Sequence, residues 1–185
     1  MSIIFGGMRQ LAFVVRDLDA TVVHWTEVLG VGPFHVLRDV TFSDYQYRGK
    51  PGESPRVHIG LSWSGAFQIE IIEQVNNAPS AYLDFLNSGR EGMHHVCGWY
   101  DSREAYEAAH ARSVASGATL VHEAAMGNAA LGTTARFAYF DTTAVPGGFY
   151  YEIAEGLVPA LRPFMTLIED SARNWDGKDP IRAIG

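Results

Sequence analysis

Two heptapeptides carry the residues best suited to chemistry in this chain: Phe67-Gln-Ile-Glu70-Ile-Ile-Glu73 and Phe149-Tyr-Tyr-Glu152-Ile-Ala-Glu155. Both read Phe-x-x-Glu-Ile-x-Glu, with the central glutamates 82 residues apart (70 to 152). Each glutamate sits among β-branched and aromatic residues patterned as a strand. Burying a carboxylate is costly unless a positive group meets it. A chain that does so twice, in one local context, reads as a duplication that holds a cation between its halves.

Duplicated halves should pair other inward polar residues too. Gln10 opens the first strand of one half and His95 the first strand of the other, 85 residues on (10 to 95). The candidate metal set is therefore Gln10, Glu70, His95 and Glu152. Two carboxylates supply a formal −2 that a divalent cation neutralises, and the Gln oxygen is a neutral donor. Imidazole nitrogen favours later first-row metals over Ca²⁺. Four mixed ligands leave room for water or substrate, as in a catalytic rather than a structural site. Zn, Ni, Co, Fe and Mn all satisfy this description. His94 alternates to the opposite strand face and reads as a packing residue. Glu73 and Glu155, three residues past the ligand glutamates, are expected on the opposite face and solvated.

The elements that must position these residues follow from periodicity and punctuation. Gln10–Arg16 reads as a strand, and Asp17 or Asp19 caps a helix to about Leu29, ended by Gly30. Strands follow at Phe34–Val40, Tyr45–Arg48, Arg56–Trp63 and Ala66–Glu73, with Lys50–Pro55 as a loop. Pro79 and Gly89 bracket a short bridging helix. The order then repeats. Met93–Tyr100 is a strand, and Asp101 with Glu104 forms a capping box for a helix to about Ser116. Thr119–Glu123, Ala135–Phe140 and Gly148–Ala154 complete the second set of strands, with a Gly/Ala/Asn loop from Met126 to Gly132 and a turn at Pro146-Gly147-Gly148. The expected fold is α+β: two βαβββ modules (1–74 and 93–156) forming curved mixed sheets around a central cavity, joined by 75–92. An amphipathic C-terminal helix and tail (157–185) pack against their own domain or a dimer mate.

Composition bounds the function. At 185 residues and 47% hydrophobic, the chain can bury one sizeable core. A net charge of −7 with 14 scattered basic residues excludes a nucleic-acid surface. No stretch approaches the roughly 20 apolar residues of a membrane span. The N-terminus lacks the features of a signal peptide, and the single cysteine, Cys97, reads as a small core residue in a reducing, cytoplasmic protein.

In order and spacing, Gln10-Leu-Ala-Phe-Val-Val-Arg-Asp-Leu18, Leu29-Gly-Val-Gly-Pro33, Phe67-Gln-Ile-Glu-Ile-Ile72, Gly92-Met-His-His-Val96, Arg136-Phe-Ala-Tyr-Phe-Asp141 and Phe149-Tyr-Tyr-Glu-Ile153 resemble the vicinal oxygen chelate superfamily. That superfamily includes glyoxalase I, methylmalonyl-CoA epimerase and extradiol dioxygenases, and the resemblance is closest to the epimerase-like, glyoxalase-related branch. It implies paired βαβββ modules around a metal, with Gln10, Glu70, His95 and Glu152 at the four ligand positions. Many members carry His at the first position, so Gln10 is a departure, although some glyoxalase I enzymes also have Gln there. A homodimer is the expected assembly, and related proteins build the site either within one chain or across a dimer.

The branch's shared chemistry is removal of a proton next to a carbonyl while a metal holds the resulting enolate oxygens. By this resemblance Glu152 is the first choice for the catalytic base and Glu70 the second. Tyr47, Trp63, Trp99, Tyr139 and Tyr150 are candidates to line an aromatic small-molecule pocket, and Arg48 or Arg136 to meet an anionic group. No dense basic patch marks a CoA phosphate site. The leading expectation is a metal-dependent isomerase, epimerase or lyase. The alternatives are a metal-dependent oxygenase and a non-catalytic small-molecule binding or resistance protein. The dioxygenase iron site needs two His and one carboxylate, and only one His stands at a ligand position here.

Overall fold

The computed structural model describes residues 2–127, 134–144 and 148–184. Residues 128–132 of the expected Gly/Ala/Asn loop, and Pro146-Gly147 of the expected turn, lie outside these. In chain order the elements are β1 (Met8–Val15), α1 (Leu18–Glu27), β2 (Phe34–Val40), β3 (Ser43–Tyr47), β4 (Lys50–Pro51), β5 (Val57–Ser64), β6 (Phe67–Gln74), α2 (Ala81–Asn87), β7 (Gly92–Trp99), α3 (Arg103–Ala115), β8 (Thr119–Met126), β9 (Ala135–Asp141), β10 (Tyr150–Ala154), α4 (Arg162–Arg173) and β11 (Ile181–Ala183).

The strands form one mixed sheet in the order β11-β2-β5-β6-β1-β7-β10-β9-β8-β3-β4. Its centre carries the internal repeat. Strand β1 runs parallel to β6 and β7 runs parallel to β10, while β1 and β7 meet antiparallel. Reading outward from that seam, β6-β5-β2 on one side match β10-β9-β8 on the other. Each half has its helix packed on the outer face. Helix α1 covers Val15, Phe34, Ile69 and Ile71 with Leu18 and Val22, and α3 covers Val96, Phe140, Tyr151 and Ile153 with Tyr106 and Ala109. The inner face is covered by α2 and α4 and holds the largest cluster of buried side chains.

The helix starts are fixed by side chains. The Asp17 carboxylate accepts from the Ala20 N–H at 2.9 Å, satisfying one of the free donors of the first turn. In α3 the cap is Ser102, accepting from Ala105 N–H at 3.2 Å, one residue later than the expected Asp101 box.

Three features differ from the sequence reading. Strand β3 pairs with β8 in the second half rather than beside β2. Asp39, at the irregularity near the end of β2, and Asp44, at the irregularity in β3, both have φ 53°. Strand β4 occupies part of the expected Lys50–Pro55 loop. The tail does not end at its helix: β11 adds a parallel strand to the β2 edge. Three residues are too few to show a period that would reveal it.

The acidic pair Glu73 and Glu155 also corrects an expectation. They do face away from the ligand glutamates, but neither is freely solvated. Glu73 accepts from the Leu18 N–H at 3.0 Å, the first residue of α1. Glu155 is 2% exposed, accepts from Arg103 at 2.6 and 3.0 Å, and also takes the Arg136 N–H at 2.7 Å. The repeated outer glutamate thus ties each module's last strand to the start of its helix, where a negative charge is favoured.

Candidate metal centre

The four central strands bring the expected donors onto one face. Strand register places Gln68, Gln10, Cys97 and Glu152 in one row across β6-β1-β7-β10, and Glu70, Ala12, His95 and Tyr150 in the next. Gln10 relates to its row as His95 does to the other, and Glu70 lies beside Ala12 as Glu152 lies beside Cys97. Ligand atoms of Glu70, His95 and Glu152 fall within 4.8 Å of one another. The His95 Nε2 lies 3.1 Å from a Glu152 oxygen and 3.4 Å from a Glu70 oxygen. The side chains are 0%, 9% and 13% exposed for His95, Glu152 and Glu70.

This cluster is unbalanced by itself. Two buried carboxylates face one imidazole, and among the described residues no Lys or Arg pairs with either. Burial would push the His95 pKa down. Hydrogen bonds from its ring to Glu152 and Glu70, with their charge, outweigh that and lift it to about 9. Burial raises the Glu70 pKa, partly opposed by His95 and reinforced by the Glu152 charge. The donor types, burial and excess negative charge fit a divalent first-row ion, which one imidazole nitrogen and two carboxylates would hold.

Gln10 reaches the same cavity, 6% exposed, but its amide Nε2 donates to Gln68 Oε1 at 2.7 Å. Gln68 is itself fully buried and its amide reaches the Met165 sulfur at 3.3 Å. Gln68 was visible in the sequence only as the residue two before Glu70, hence on the same strand face.

His94 departs from the expected alternation. Strand β1 pairs Phe13 with Met93 and Ala12 with His95, so His94 is an extra residue in β7. That bulge turns its ring to the same side as His95, with the two Nδ1 atoms 2.9 Å apart. Tyr139 stands behind His95: its hydroxyl lies 3.2 Å from Nε2 and accepts from Tyr82 at 3.0 Å.

The cavity beside the cluster has a volume of about 90 Å³. Gln10, Gln68, Glu70, Cys97 and Glu152 supply its polar side, and Leu61, Trp99, Phe137, Leu161, Phe164 and Met165 its apolar walls. Trp99 can lie there because residue 156 is glycine: a Cβ at that position would come within 2.6 Å of the ring. Trp99 also packs edge-on against Trp63 at 5.7 Å. Of the other expected substrate contacts, Arg136 borders the cavity but is exposed and also borders the separate hollow near His110, whereas Tyr47, Tyr139 and Tyr150 do not line the cavity. Tyr47 donates to Asp84 at 2.6 Å, beside Arg48, and Tyr150 stacks on His94 at 4.7 Å. Cys97, expected as a plain core residue, is buried but lines the cavity beside Glu152. The tail's role was not legible: Leu161, Phe164 and Met165 close the cavity from above. A larger hollow of about 490 Å³ near His110 and Glu123 contains none of the four expected donors, and its His–Glu pair is more than a quarter exposed.

Known structures share this architecture. The chain overlays the methylmalonyl-CoA epimerase of Mycobacterium tuberculosis with a TM-score of 0.53 at 17% identity, covering 89% of this chain and 96% of that one. It overlays a variant of the Streptomyces coelicolor methylmalonyl-CoA epimerase, in complex with 2-nitronate-propionyl-CoA, with a TM-score of 0.53 at 20% identity, covering 81% and 94%. At these identities the likeness is one of fold. No curated protein sequence matches the chain. The profile of the glyoxalase/bleomycin resistance protein/dioxygenase superfamily matches residues 9–139, well over half of the chain. The chain therefore belongs to the glyoxalase/bleomycin resistance protein/dioxygenase superfamily.

Proposed function

We propose that this protein is a metal-dependent isomerase, epimerase or lyase that removes a proton from carbon next to a carbonyl. The observation that carries the reading is the buried Glu70–His95–Glu152 cluster, with its ligand atoms within 4.8 Å, at the side of a mostly apolar cavity. Glu70, His95 and Glu152 would hold the ion, with Gln10 beside them. A divalent ion supplies Lewis acidity to the oxygen that gains charge as the proton leaves.

The chain's own groups then divide the work. Glu152 takes the proton, and its carboxylate becomes the acid. Glu70 is the group suited to return a proton from the other side. The two glutamates come from β6 and β10, on either side of the β1–β7 seam, so they flank whatever enters. An epimerase needs such a pair, because the proton leaves one face of the carbon and returns at the other. The apolar walls exclude water, which strengthens every charge interaction in the site.

The cavity holds roughly the volume of three waters at ~30 Å³ each. A compact acyl or carbonyl group fits it better than a large aromatic one, unless the α4 side chains yield. Methylmalonyl-CoA-type thioesters, named for the structural neighbours, and small α-hydroxycarbonyl compounds are the first substrates to test. The experiment is deuterium wash-in: each compound is incubated in D₂O with protein and Zn²⁺, Co²⁺, Ni²⁺ or Mn²⁺, and the carbon next to the carbonyl is followed by NMR. Metal-dependent exchange supports the reading. Oxygen consumption with no exchange would replace it by an oxygenase.

A further inference from the structure

We propose that His94 is a positioning residue: it holds a proton on His95 Nδ1, so that Nε2, facing the two glutamates, is the nitrogen that gives up its proton to a cation. The proposal rests on the metal reading of the site, but its first test does not need a metal.

A backbone carbonyl sets the first link. His94 Nε2 lies 3.2 Å from the carbonyl oxygen of Ala81, at the start of α2. A carbonyl oxygen can only accept, so His94 Nε2 carries a proton. A neutral imidazole with its proton on Nε2 has its lone pair on Nδ1. That lone pair is 2.9 Å from His95 Nδ1, so the shared hydrogen belongs to His95. With Nδ1 protonated, Nε2 is the nitrogen left for the glutamates, 3.1 and 3.4 Å away. The relay therefore runs from the Ala81 carbonyl through His94 to His95, and each link dictates the next.

The His94 ring is held so that the relay cannot slip. It is fully buried, stacked on Tyr150 at 4.7 Å and edge-on to Phe85 at 5.0 Å. The β7 bulge is what puts it there. In a regular strand His94 would point to the α3 side with Val96, and His95 Nδ1 would have no acceptor. Without that acceptor the Nδ1 proton is the easier one to lose, and the neutral ring then keeps its proton on Nε2, donating to Glu152. A proton would then occupy the position a cation needs. Partners of this kind, one bond removed from the metal, change affinity by about 10- to 100-fold.

The test uses the full chain and two polar substitutions that separate the two ends of the ring. His94→Asn keeps an acceptor near the Nδ1 position. His94→Gln keeps a donor near the Nε2 position, and with it the Ala81 contact, but offers no acceptor at Nδ1. Ring nitrogens are first read by ¹⁵N NMR on histidine-labelled, cation-free protein. The expected result is His94 protonated on Nε2 alone and His95 carrying a proton on Nδ1. A proton on His94 Nδ1 overturns the proposal, whatever the protein binds. Zn²⁺ titration then compares the variants: His94→Asn should stay near wild type and His94→Gln should lose about 10- to 100-fold. Equal affinities for His94→Gln and wild type, or equal losses in both variants, would also overturn it. Wild type that binds no Zn²⁺ defeats the metal reading, and with it the assigned role of His94, even if the ring protons are placed as expected.

Discussion

Raising the pH of the cation-free protein from 7 to 9 should destabilise it, and His95 sets the size of the effect. In the folded chain the imidazole between Glu70 and Glu152 titrates at about 9, against ~6.5 when unfolded. The folded state thus binds a proton that the unfolded state releases, so this contribution is full below pH ~6.5 and lost as pH rises through 9. Integrating the two titrations between pH 7 and 9 gives a loss of about 2 kcal/mol. Glu70, also raised, acts in the same direction but releases its unfolded-state proton at lower pH. The buried histidines with lowered pKa values, His35, His94 and His122, have the opposite sign but act below this window. Cys97, held protonated by burial, adds to the loss near the top of the window. The assay is urea unfolding of chelator-treated protein at pH 7, 8 and 9, with His95→Gln as the baseline because it retains Cys97. With a divalent cation present the trend should reverse, because the ion competes with the proton for His95 Nε2. A flat profile between pH 7 and 9, or an identical slope in His95→Gln, would refute the electrostatic account of the site.

Three other outcomes rest on the same geometry. Glu152→Gln should keep the fold by circular dichroism, weaken Zn²⁺ binding and reduce deuterium wash-in by at least ~100-fold, the lower range for a general base; full exchange in that variant would remove Glu152 from the role. Phe164→Ala should enlarge the cavity, cost about 2 kcal/mol in urea unfolding for a half-buried ring, and raise KM for small substrates more than it lowers kcat. Arg103→Ala leaves Glu155 buried without its guanidinium partner and should cost about 2 kcal/mol, discounted because Arg103 itself is partly exposed, while leaving Zn²⁺ affinity unchanged.

The parts of this protein that repeat were legible in its sequence. Paired Phe-x-x-Glu-Ile-x-Glu segments and the alternation along β1 and β7 give away a doubled α+β fold. They also single out the residues that register brings into adjacent rows. The rest depended on events with no period. A one-residue bulge in β7 reverses the face of His94, and nothing in Gly92-Met-His-His announces it. Strand β3 pairs with β8, and the two aspartates at the irregularities in β2 and β3 have positive φ, a conformation that aspartate tolerates but does not require. Helix α4 reads as amphipathic, but its apolar face could have packed anywhere; only the fold shows Phe164 and Met165 closing the cavity. Of the aromatic residues expected to line the pocket, Trp99 borders the cavity, whereas Tyr47, Tyr139 and Tyr150 do not. Parity says which side of a sheet a ring is on, not whether a neighbour such as Asp84 or His94 has already engaged it.

The central claim is that two halves of one sheet close around a divalent ion through Glu70, His95 and Glu152. Anomalous diffraction from crystals grown with Co²⁺ or Zn²⁺ tests it most directly. The account predicts a single strong peak between those three side chains, within roughly 2.0–2.3 Å of one nitrogen and of carboxylate oxygens. A peak elsewhere, or none with His95 still hydrogen-bonded to Glu152 at saturating ion, would contradict it.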